Sequence, residues 1–352
     1  MVARASITRQ PLVFLFRHER SKMTAVSLYM APFRGITHKA YRNAHARHMG
    51  HVDAYYAPFV SGLGQGKIHP GKMIDLIPFT GNQAPVIPQI ISNDPGEIIL
   101  FGNVLYEKGY RHLNWNLGCP FERIANKKRG CGLLPYPNEI DRILNRVFSK
   151  VKIALSVKTR LGYDRPDQIN PVLEVFNRHP LYKIILHPRT GRQRYGGKAD
   201  PGKYAECLHL SSHPMVYNGD IYNHSQYKAL QAMFPGQTEW MLGRGALINP
   251  FLAMEIHNVF LPDDQKRTRL DAFHNDLWEF AMTRISGEKK QIGWMKAVWH
   301  YLSGIFSAGK EAFEAIKRSH TSKAFEKAAH KAMQGDFAGE DQIRIHFLSL
   351  TR

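Results

Sequence analysis

Eight short apolar runs, rich in β-branched and aromatic residues, recur through the first two thirds of the chain. They cover residues 26–31, 53–58, 85–90, 111–116, 153–158, 182–187, 214–218 and 238–242. Their starts lie about 25 to 40 residues apart, the length of a strand, a crossover helix and two loops. No hairpin signal joins neighbouring runs, which favours a parallel sheet with helices outside it. An open doubly wound sheet uses the same alternation, but a count of eight predicts a closed α/β barrel, the (β/α)8 or TIM barrel.

The chain changes character after Pro250, where helical periodicity replaces strand-like runs. We therefore predict a barrel over residues 26–254, a smaller helical domain over 255–340 and a C-terminal tail over 341–352. Residues 1–25 are predicted to be a disordered N-terminal extension. The apolar stretch at residues 11–16 is too short for the core of a signal peptide. A transit peptide, or a non-native start upstream of Met23, remains open for this stretch.

The charge balance points to an anionic partner. The chain has 48 Lys and Arg against 29 Asp and Glu, a formal net charge of +19. An excess of this size favours nucleic acid, with an anionic membrane, small acidic ligands or simple solubility as alternatives. No apolar run approaches the roughly 18 residues that a membrane span needs. Only 3 cysteines are present, which excludes a disulfide framework and a four-cysteine zinc site and indicates a reducing, cytoplasmic setting.

Polar side chains close the apolar strands where a barrel enzyme places its active site, at the carboxyl ends. Gln89, Lys158 and His187 each end an apolar run, a position where turn chemistry alone would favour Gly, Ser or Asp. The turns after strands seven and eight read Asn218-Gly219-Asp220 and Gly243-Arg244-Gly245. In this fold these two turns often hold a phosphate, so we expect an anion there. No motif with metal-ligand spacing is present, and we predict no metal.

Cys119 follows the fourth strand, in Asn116-Leu117-Gly118-Cys119-Pro120. A lone cysteine is usually a small buried apolar residue. A position between Gly and Pro on a loop instead places the thiol over the barrel mouth, where it can act as a nucleophile or a general acid. Cys131, on the following loop, is the rival. Cys119 is favoured because Asn116, at the strand end, can anchor a ring ligand beside it.

Taken together, these motifs resemble the dihydrouridine synthases, flavin-dependent enzymes that reduce uridine in RNA. The resemblance covers residues 28–302 and rests on ordered motifs, each of which is weak alone: 30–37 (MAPFRGIT), 116–120 (NLGCP), 129–134 (RGCGLL), 157–162 (VKTRLG), 187–190 (HPRT), 218–220 (NGD) and 243–246 (GRGA). The resemblance implies a flavin mononucleotide (FMN) at the barrel mouth. The positions that would hold it are Pro32, Phe33, Arg34, Gln89, Lys158, His187, Asn218, Gly219, Asp220, Gly243 and Arg244.

The resemblance also implies a mechanism and a substrate. The reduced flavin passes a hydride to carbon 6 of a flipped-out uracil, and Cys119 donates a proton to carbon 5 from the opposite face. Asn116 and Arg160 would hold the uracil carbonyls. NADPH, or alternatively NADH, re-reduces the flavin. The expected partner is RNA, most directly tRNA, and we expect a cytoplasmic monomer.

A helical stripe after the barrel, with Lys289, Lys296 and His300, resembles the RNA-binding region of that family; a solvated helix face is the alternative. Residues 263–352 carry a net charge of +3, which leaves +16 on residues 1–262. Within the latter, residues 178–203 hold seven basic side chains against Asp200. Two other functions remain open: a flavin barrel acting on a free pyrimidine, and a catalytically idle RNA-binding module.

Overall fold

The computed structural model describes residues 26–64, 68–76 and 81–350, so the predicted N-terminal extension lies outside the described residues. Nine strand segments form the sheet: β1 (Ser27–Met30), β2 (Ala54–Tyr56), β3 (Val86–Ile87), β4 (Gln89–Ile90), β5 (His112–Leu117), β6 (Ala154–Gly162), β7 (Ile184–Thr190), β8 (Met215–Tyr217) and β9 (Glu239–Leu242). All pairings are parallel, in the order β3-β2-β1-β9-β8-β7-β6-β5-β4. The predicted parallel barrel is confirmed.

The third predicted run is split into β3 and β4 by Pro88, and this split brings the sheet round into a nearly closed barrel. Proline has no N–H to donate to a ladder, so the strand is interrupted there. The Pro88 carbonyl still accepts from the Asn114 N–H at 2.9 Å, on the β5 side. On the other side, the Ala57 N–H donates to the Ile87 carbonyl at 2.9 Å, next to β2. Since β3 pairs with β2 and β4 pairs with β5, the two short segments connect the two ends of the sheet.

Nine helices of the described chain accompany the strands: α1 (Lys39–His48), α2 (Pro95–Glu107), α3 (Glu122–Ala125), α4 (Pro137–Phe148), α5 (Ile169–Asn177), α6 (Pro201–Leu210), α7 (His224–Met233), α8 (Arg244–Ile248) and α9 (Leu252–Ile256). The sequence explains where α2 begins. Asp94 caps the helix by accepting from the Gly96 N–H at 2.7 Å, and Pro95, whose φ angle already suits a helix, is its first residue. The main core lies between these helices and the strands, and a separate apolar cluster that includes Tyr56, Ile185 and Met241 lies apart from it.

The C-terminal region is helical throughout: α10 (Asp263–Arg284), α11 (Glu288–Leu302), α12 (Gly309–Lys317), α13 (Ser322–Met333) and α14 (Glu340–Ser349). The first of these helices begins at Asp263, a few residues after the predicted domain boundary, because the short α9 precedes the turn at Pro262. Most of residues 341–352, predicted from the sequence only as a C-terminal tail, form α14. No helix of the described chain is long and apolar enough to cross a membrane.

The helical region packs along α1 and returns to the barrel mouth. The Phe273 ring meets the Tyr41 ring edge-on at 5.4 Å, and Asp276 pairs with Arg47 and His48. At the far end, Tyr301 of α11 lies 6.0 Å from the Phe33 ring, between ring centres. The helices therefore form part of the wall of the cavity at the carboxyl ends of the strands.

Candidate active site

A cavity of about 210 Å³ lies at the carboxyl ends of the barrel strands. All 14 barrel residues selected from the sequence line it: Pro32, Phe33, Arg34, Gln89, Asn116, Cys119, Lys158, Arg160, His187, Asn218, Gly219, Asp220, Gly243 and Arg244. Lys289, Lys296 and His300 of the helical region do not. The strand ends converge because parallel strands place all their carboxyl termini on one face of the barrel.

Cys119 lies at the cavity wall, and its side chain is 7% exposed. Its backbone N–H donates to Asn116 Oδ1 at 2.9 Å, which fixes the loop to the end of β5. Burial raises the pKa of the Cys119 thiol, and nearby cations, including Arg160, offset the rise only in part. The thiol therefore stays protonated near neutral pH. Cys131 is fully buried and donates from Sγ to the Cys119 carbonyl at 3.2 Å, away from the cavity lining.

Lys158 and Arg160 lie two residues apart on β6 and differ in their hydrogen-bond partners. Arg160 donates from Nε to the Gly118 carbonyl at 3.0 Å, and from one terminal nitrogen to the Thr190 and Arg194 carbonyls at 2.9 and 2.7 Å. The side-chain nitrogen of Lys158 has no hydrogen-bond partner within the part of the chain that the structure describes. Burial, followed by the Arg160 charge, lowers the pKa of Lys158 to about 7. An anion bound in the cavity would therefore stabilise the ammonium form of Lys158.

His187, at the carboxyl end of β7, is held as a neutral imidazole. Arg189 donates to His187 Nε2 at 3.1 Å, so the ring proton is assigned to Nδ1. Burial holds the pKa of His187 well below its usual value, and the charges of Arg160 and Lys158 add to the shift. The site therefore presents an uncharged imidazole next to two cationic side chains.

Arg244 is the best candidate in the cavity for binding an anion. Arg244 is 5% exposed, and its guanidinium lies between the Tyr195 and Phe347 rings, 4.5 and 4.2 Å from their centres. One terminal nitrogen contacts Asp220 Oδ1 at 3.4 Å, whereas the other is buried with no partner in the described residues. A buried guanidinium N–H without an acceptor is unfavourable, and a bound phosphate oxygen would satisfy it.

The residues around Arg244 fit a phosphate group. Asp220 accepts from both terminal nitrogens of Arg189 at 2.7 Å. Its carboxylate therefore orients arginine side chains, and its negative charge is neutralised before a phosphate meets it. Asn218 donates to the Met241 carbonyl at 2.8 Å, which fixes its side chain at the wall. A Cβ on Gly243 would meet no atom closer than 3.9 Å, so the glycine leaves space for a ligand near the backbone. The residues present therefore fit the phosphate end of a flavin mononucleotide.

Aromatic side chains that the sequence did not single out complete the wall. Tyr195, Tyr301 and Phe347 all line the cavity. Tyr195 lies in the basic loop after β7, where an aromatic residue among arginines is a usable signal of a ligand surface. Tyr301 lies on α11, where an aromatic residue in a helix gives no sign that it lines a cavity rather than packing within the helical region. Phe347 gave no signal, because its place at the mouth depends on how α14 folds back over the barrel.

The three predicted RNA contacts on α11 differ in their surroundings. Lys289 is exposed and has no ion-pair partner within the described chain. Lys296 instead donates from Nζ to the Lys317 carbonyl at 2.8 Å and to the Ser319 carbonyl, so it caps the end of α12. Burial lowers the pKa of His300, whose ring packs on Phe313 at 5.2 Å between ring centres. Lys289 is therefore the best placed of the three for a phosphate.

The basic segment 178–203 is largely neutralised within the fold. Five of its seven cations form ion pairs: Arg178–Asp141, Lys183–Glu239, Arg189–Asp220, Arg194–Glu122 and Lys203–Glu206. Arg192 and Lys198 are exposed and have no acidic partner among the described residues. The charge available to an external anion is therefore much smaller than the sequence count indicates.

Comparison with known proteins identifies the family of the chain. The family model "Dihydrouridine synthase (Dus)" matches residues 29–337. The chain is 27% identical over 234 residues to a probable tRNA-dihydrouridine synthase of Aquifex aeolicus, covering 64% of this chain and 71% of that protein. It is 27% identical over 219 residues to tRNA-dihydrouridine synthase B of Vibrio vulnificus, covering 58% and 67%. An old yellow enzyme homologue of Zymomonas mobilis shares the fold, with a TM-score of 0.50 and 11% identity over 66% of this chain and 88% of that one. From the match to the family model, which spans most of its length, the chain belongs to the dihydrouridine synthase family.

Proposed function

We propose that the protein reduces specific uridines in tRNA to 5,6-dihydrouridine, with Cys119 as the proton donor. The observation that carries the proposal is the position of Cys119, at the wall of a cation-lined cavity, with its pKa raised by burial. A general acid must remain protonated until the reaction reaches it, and this thiol does so near neutral pH. The named activities of the relatives from Aquifex and Vibrio support the same reaction.

We propose FMN as the cofactor, held by the residues that line the cavity. Arg244 would bind the phosphate through its unpartnered nitrogen, beside Asn218, Gly219 and Gly243. Lys158 would bind the polar edge of the flavin ring, where a cation stabilises negative charge. When bound, FMN takes electrons from NADPH, or alternatively NADH, and supplies the hydride for carbon 6 of uracil.

The uracil would be held by donors that the fold leaves unused. Asn116 donates one side-chain N–H to Gln89, which leaves its second N–H for a carbonyl. Arg160 uses Nε and one terminal nitrogen on backbone carbonyls, and its other terminal nitrogen has no acceptor among the described residues, which leaves both of its donors for a ligand. Cys119 would then give its thiol proton to carbon 5 of the same base. Since all three cysteines are free and buried, we also propose a reducing, cytoplasmic setting.

Substitution of the thiol tests the proposal. We expect Cys119→Ala to retain FMN and the oxidation of NADPH, because the thiol is not part of the anion site. Dihydrouridine formation on tRNA should fall by about a hundredfold or more, within the range lost with a general acid. Cys131→Ala is the matched control, since Cys131 is buried away from the cavity lining, and it should keep most of the activity. Full product formation by Cys119→Ala would refute the assignment.

A further inference from the structure

A series of side-chain amides runs from the Cys119 loop into the barrel. The backbone N–H groups of Gly118 and Cys119 both donate to Asn116 Oδ1, at 3.0 and 2.9 Å. Asn116 Nδ2 in turn donates to Gln89 Oε1 at 2.7 Å. Both backbone N–H groups of the loop are therefore held by one amide oxygen, which is itself oriented by the next amide. The Gly118 and Cys119 carbonyls accept separately, from Arg160 and Cys131.

The series continues below the cavity, across β4, β5 and β6. Gln89 Nε2 donates to Asn114 Oδ1 at 2.7 Å, and Asn114 Nδ2 donates to Ser156 Oγ at 2.7 Å. His112 Nε2 reaches the same hydroxyl at 2.6 Å. Gln89, Asn114 and Ser156 are fully buried, and neither Asn114 nor Ser156 lines the cavity. At Asn114 and Ser156, water cannot replace a lost partner without entering the core.

Only one orientation of the three amides satisfies every bond. Because the Asn116 oxygen faces two backbone donors, its nitrogen must face Gln89, and the Gln89 oxygen must face that nitrogen. Gln89 then presents N–H groups to Asn114, so the Asn114 oxygen must face Gln89 and its nitrogen must face Ser156. Reversing Asn116 or Gln89 would place donor against donor and acceptor against acceptor, and reversing Asn114 would place its N–H groups against those of Gln89. Each buried polar group left unpaired in this way costs about 1–3 kcal/mol.

We propose that Asn114 and Ser156 are positioning residues, which set the orientation of the Gln89 and Asn116 amides and thereby hold the Cys119 loop in place. The proposal rests on the proposed function only where it concerns turnover, since the position of the loop is a property of the folded protein. Asn114 is the more important of the two, because it alone provides the acceptor that keeps the Gln89 nitrogen turned away from Asn116.

The rate at which iodoacetamide alkylates Cys119 reports how firmly the loop holds the thiol in place. Cys131 and Cys207 are fully buried, so Cys119 is the cysteine with exposed surface. In Asn114→Leu, Gln89 loses its acceptor and can turn its nitrogen toward Asn116, which weakens the anchor of the loop. We expect alkylation to be about fivefold faster or more, the scale of one lost buried hydrogen bond. A rate equal to that of the unmodified protein would overturn the proposal.

Two further variants separate orientation from packing. Asn114→Asp keeps an oxygen acceptor toward Gln89, and alkylation should stay within about twofold of the original rate. Gln237→Leu removes a buried amide whose bonds, to Tyr204 and to the Met215 and Glu239 carbonyls, lie outside the series. It should lower the melting temperature without accelerating alkylation. Equal acceleration in Asn114→Asp or in Gln237→Leu would show loosened packing and overturn the proposal.

Turnover provides the second readout. We expect the kcat of Asn114→Leu for dihydrouridine formation to fall about tenfold or more, with KM for tRNA within about twofold, because positioning of the acid affects the chemical step. Faster alkylation with an unchanged kcat would overturn the catalytic part of the inference. If the unmodified protein forms no dihydrouridine, the proposed function fails, whereas the alkylation rates still decide whether Asn114 positions the loop.

Discussion

At the scale of single residues, Lys158 couples the cavity to pH. Its pKa falls from the usual value near 10.5 to about 7 because it is buried beside Arg160. The unfolded chain therefore binds this proton more tightly than the folded chain does. Lys158 therefore lowers the free energy of unfolding, and this destabilisation is largest below pH 7. It disappears as the pH rises toward the pKa of the unfolded chain.

We expect Lys158→Met to stabilise the flavin-free protein. At pH 6 to 7 its melting temperature should exceed that of the unmodified protein by about 2 °C or more, since one pKa unit corresponds to about 1.4 kcal/mol. The difference should shrink as the pH approaches 10, where the unmodified side chain is neutral in the folded state. Lys310→Met, at an exposed lysine, is the control and should show no such trend. A constant difference across the pH range would contradict the prediction.

The identity of the cavity residues was predictable, but their bonds were not. Gln89, Lys158 and Arg244 could be selected because parallel strands bring their carboxyl ends together. That Gln89 bonds to Asn114 depends on the register of β4 and β5, in which these two residues are paired. Lys296 shows the same limit, since helical spacing places it beside Lys289 but does not reveal the carbonyls that it caps.

At the scale of elements, α14 joins the helical region to the barrel mouth. Glu340 bonds to the Ser225 backbone and hydroxyl at the start of the helix, and Phe347 packs against Arg244 near its end. The His346 ring lies against Gly304, where a Cβ would come within 2.2 Å of it. The sequence did not predict this helix as a cavity wall, because ten residues at the end of the chain carry little periodic signal and their position is set by tertiary contacts.

Phe347→Ala should weaken the anion site without unfolding the barrel. Loss of the ring leaves the Arg244 guanidinium packed on Tyr195 alone, so it is less constrained. We expect the Kd for FMN, measured by fluorescence titration, to rise about fivefold or more, equivalent to about 1 kcal/mol. Amide hydrogen exchange in residues 340–349 should also become faster.

Ile345→Ala is the matched control on the same helix. Its side chain is 68% exposed, whereas that of Phe347 is 2% exposed. We expect Ile345→Ala to leave both the Kd for FMN and the exchange rates close to their original values. If both variants weakened FMN binding equally, the helix would act through its overall stability and not through the contact between Phe347 and Arg244.

At the scale of the whole molecule, the net charge of +19 already subtracts every carboxylate, but it does not show which cations an RNA would meet. Most cations of residues 178–203 are neutralised by carboxylates of neighbouring elements. Arg123, Arg192 and Lys198 near the mouth are exposed without an acidic partner among the described residues, as is Lys289 on the helical region. These side chains, rather than the total, are the expected contacts to phosphates on either side of the target base.

Salt dependence of tRNA binding separates the two lysines that the sequence placed on one stripe. Each phosphate contact lowers the slope of log K against log salt by about 0.7 to 0.9. Lys289→Ala should therefore weaken tRNA binding and make that slope shallower by about this amount, with little change in melting temperature. Lys296→Ala should leave the slope nearly unchanged and lower the melting temperature, because it removes the cap on the Lys317 and Ser319 carbonyls. If the slope changed equally in both variants, Lys296 would have to leave its carbonyls when RNA binds.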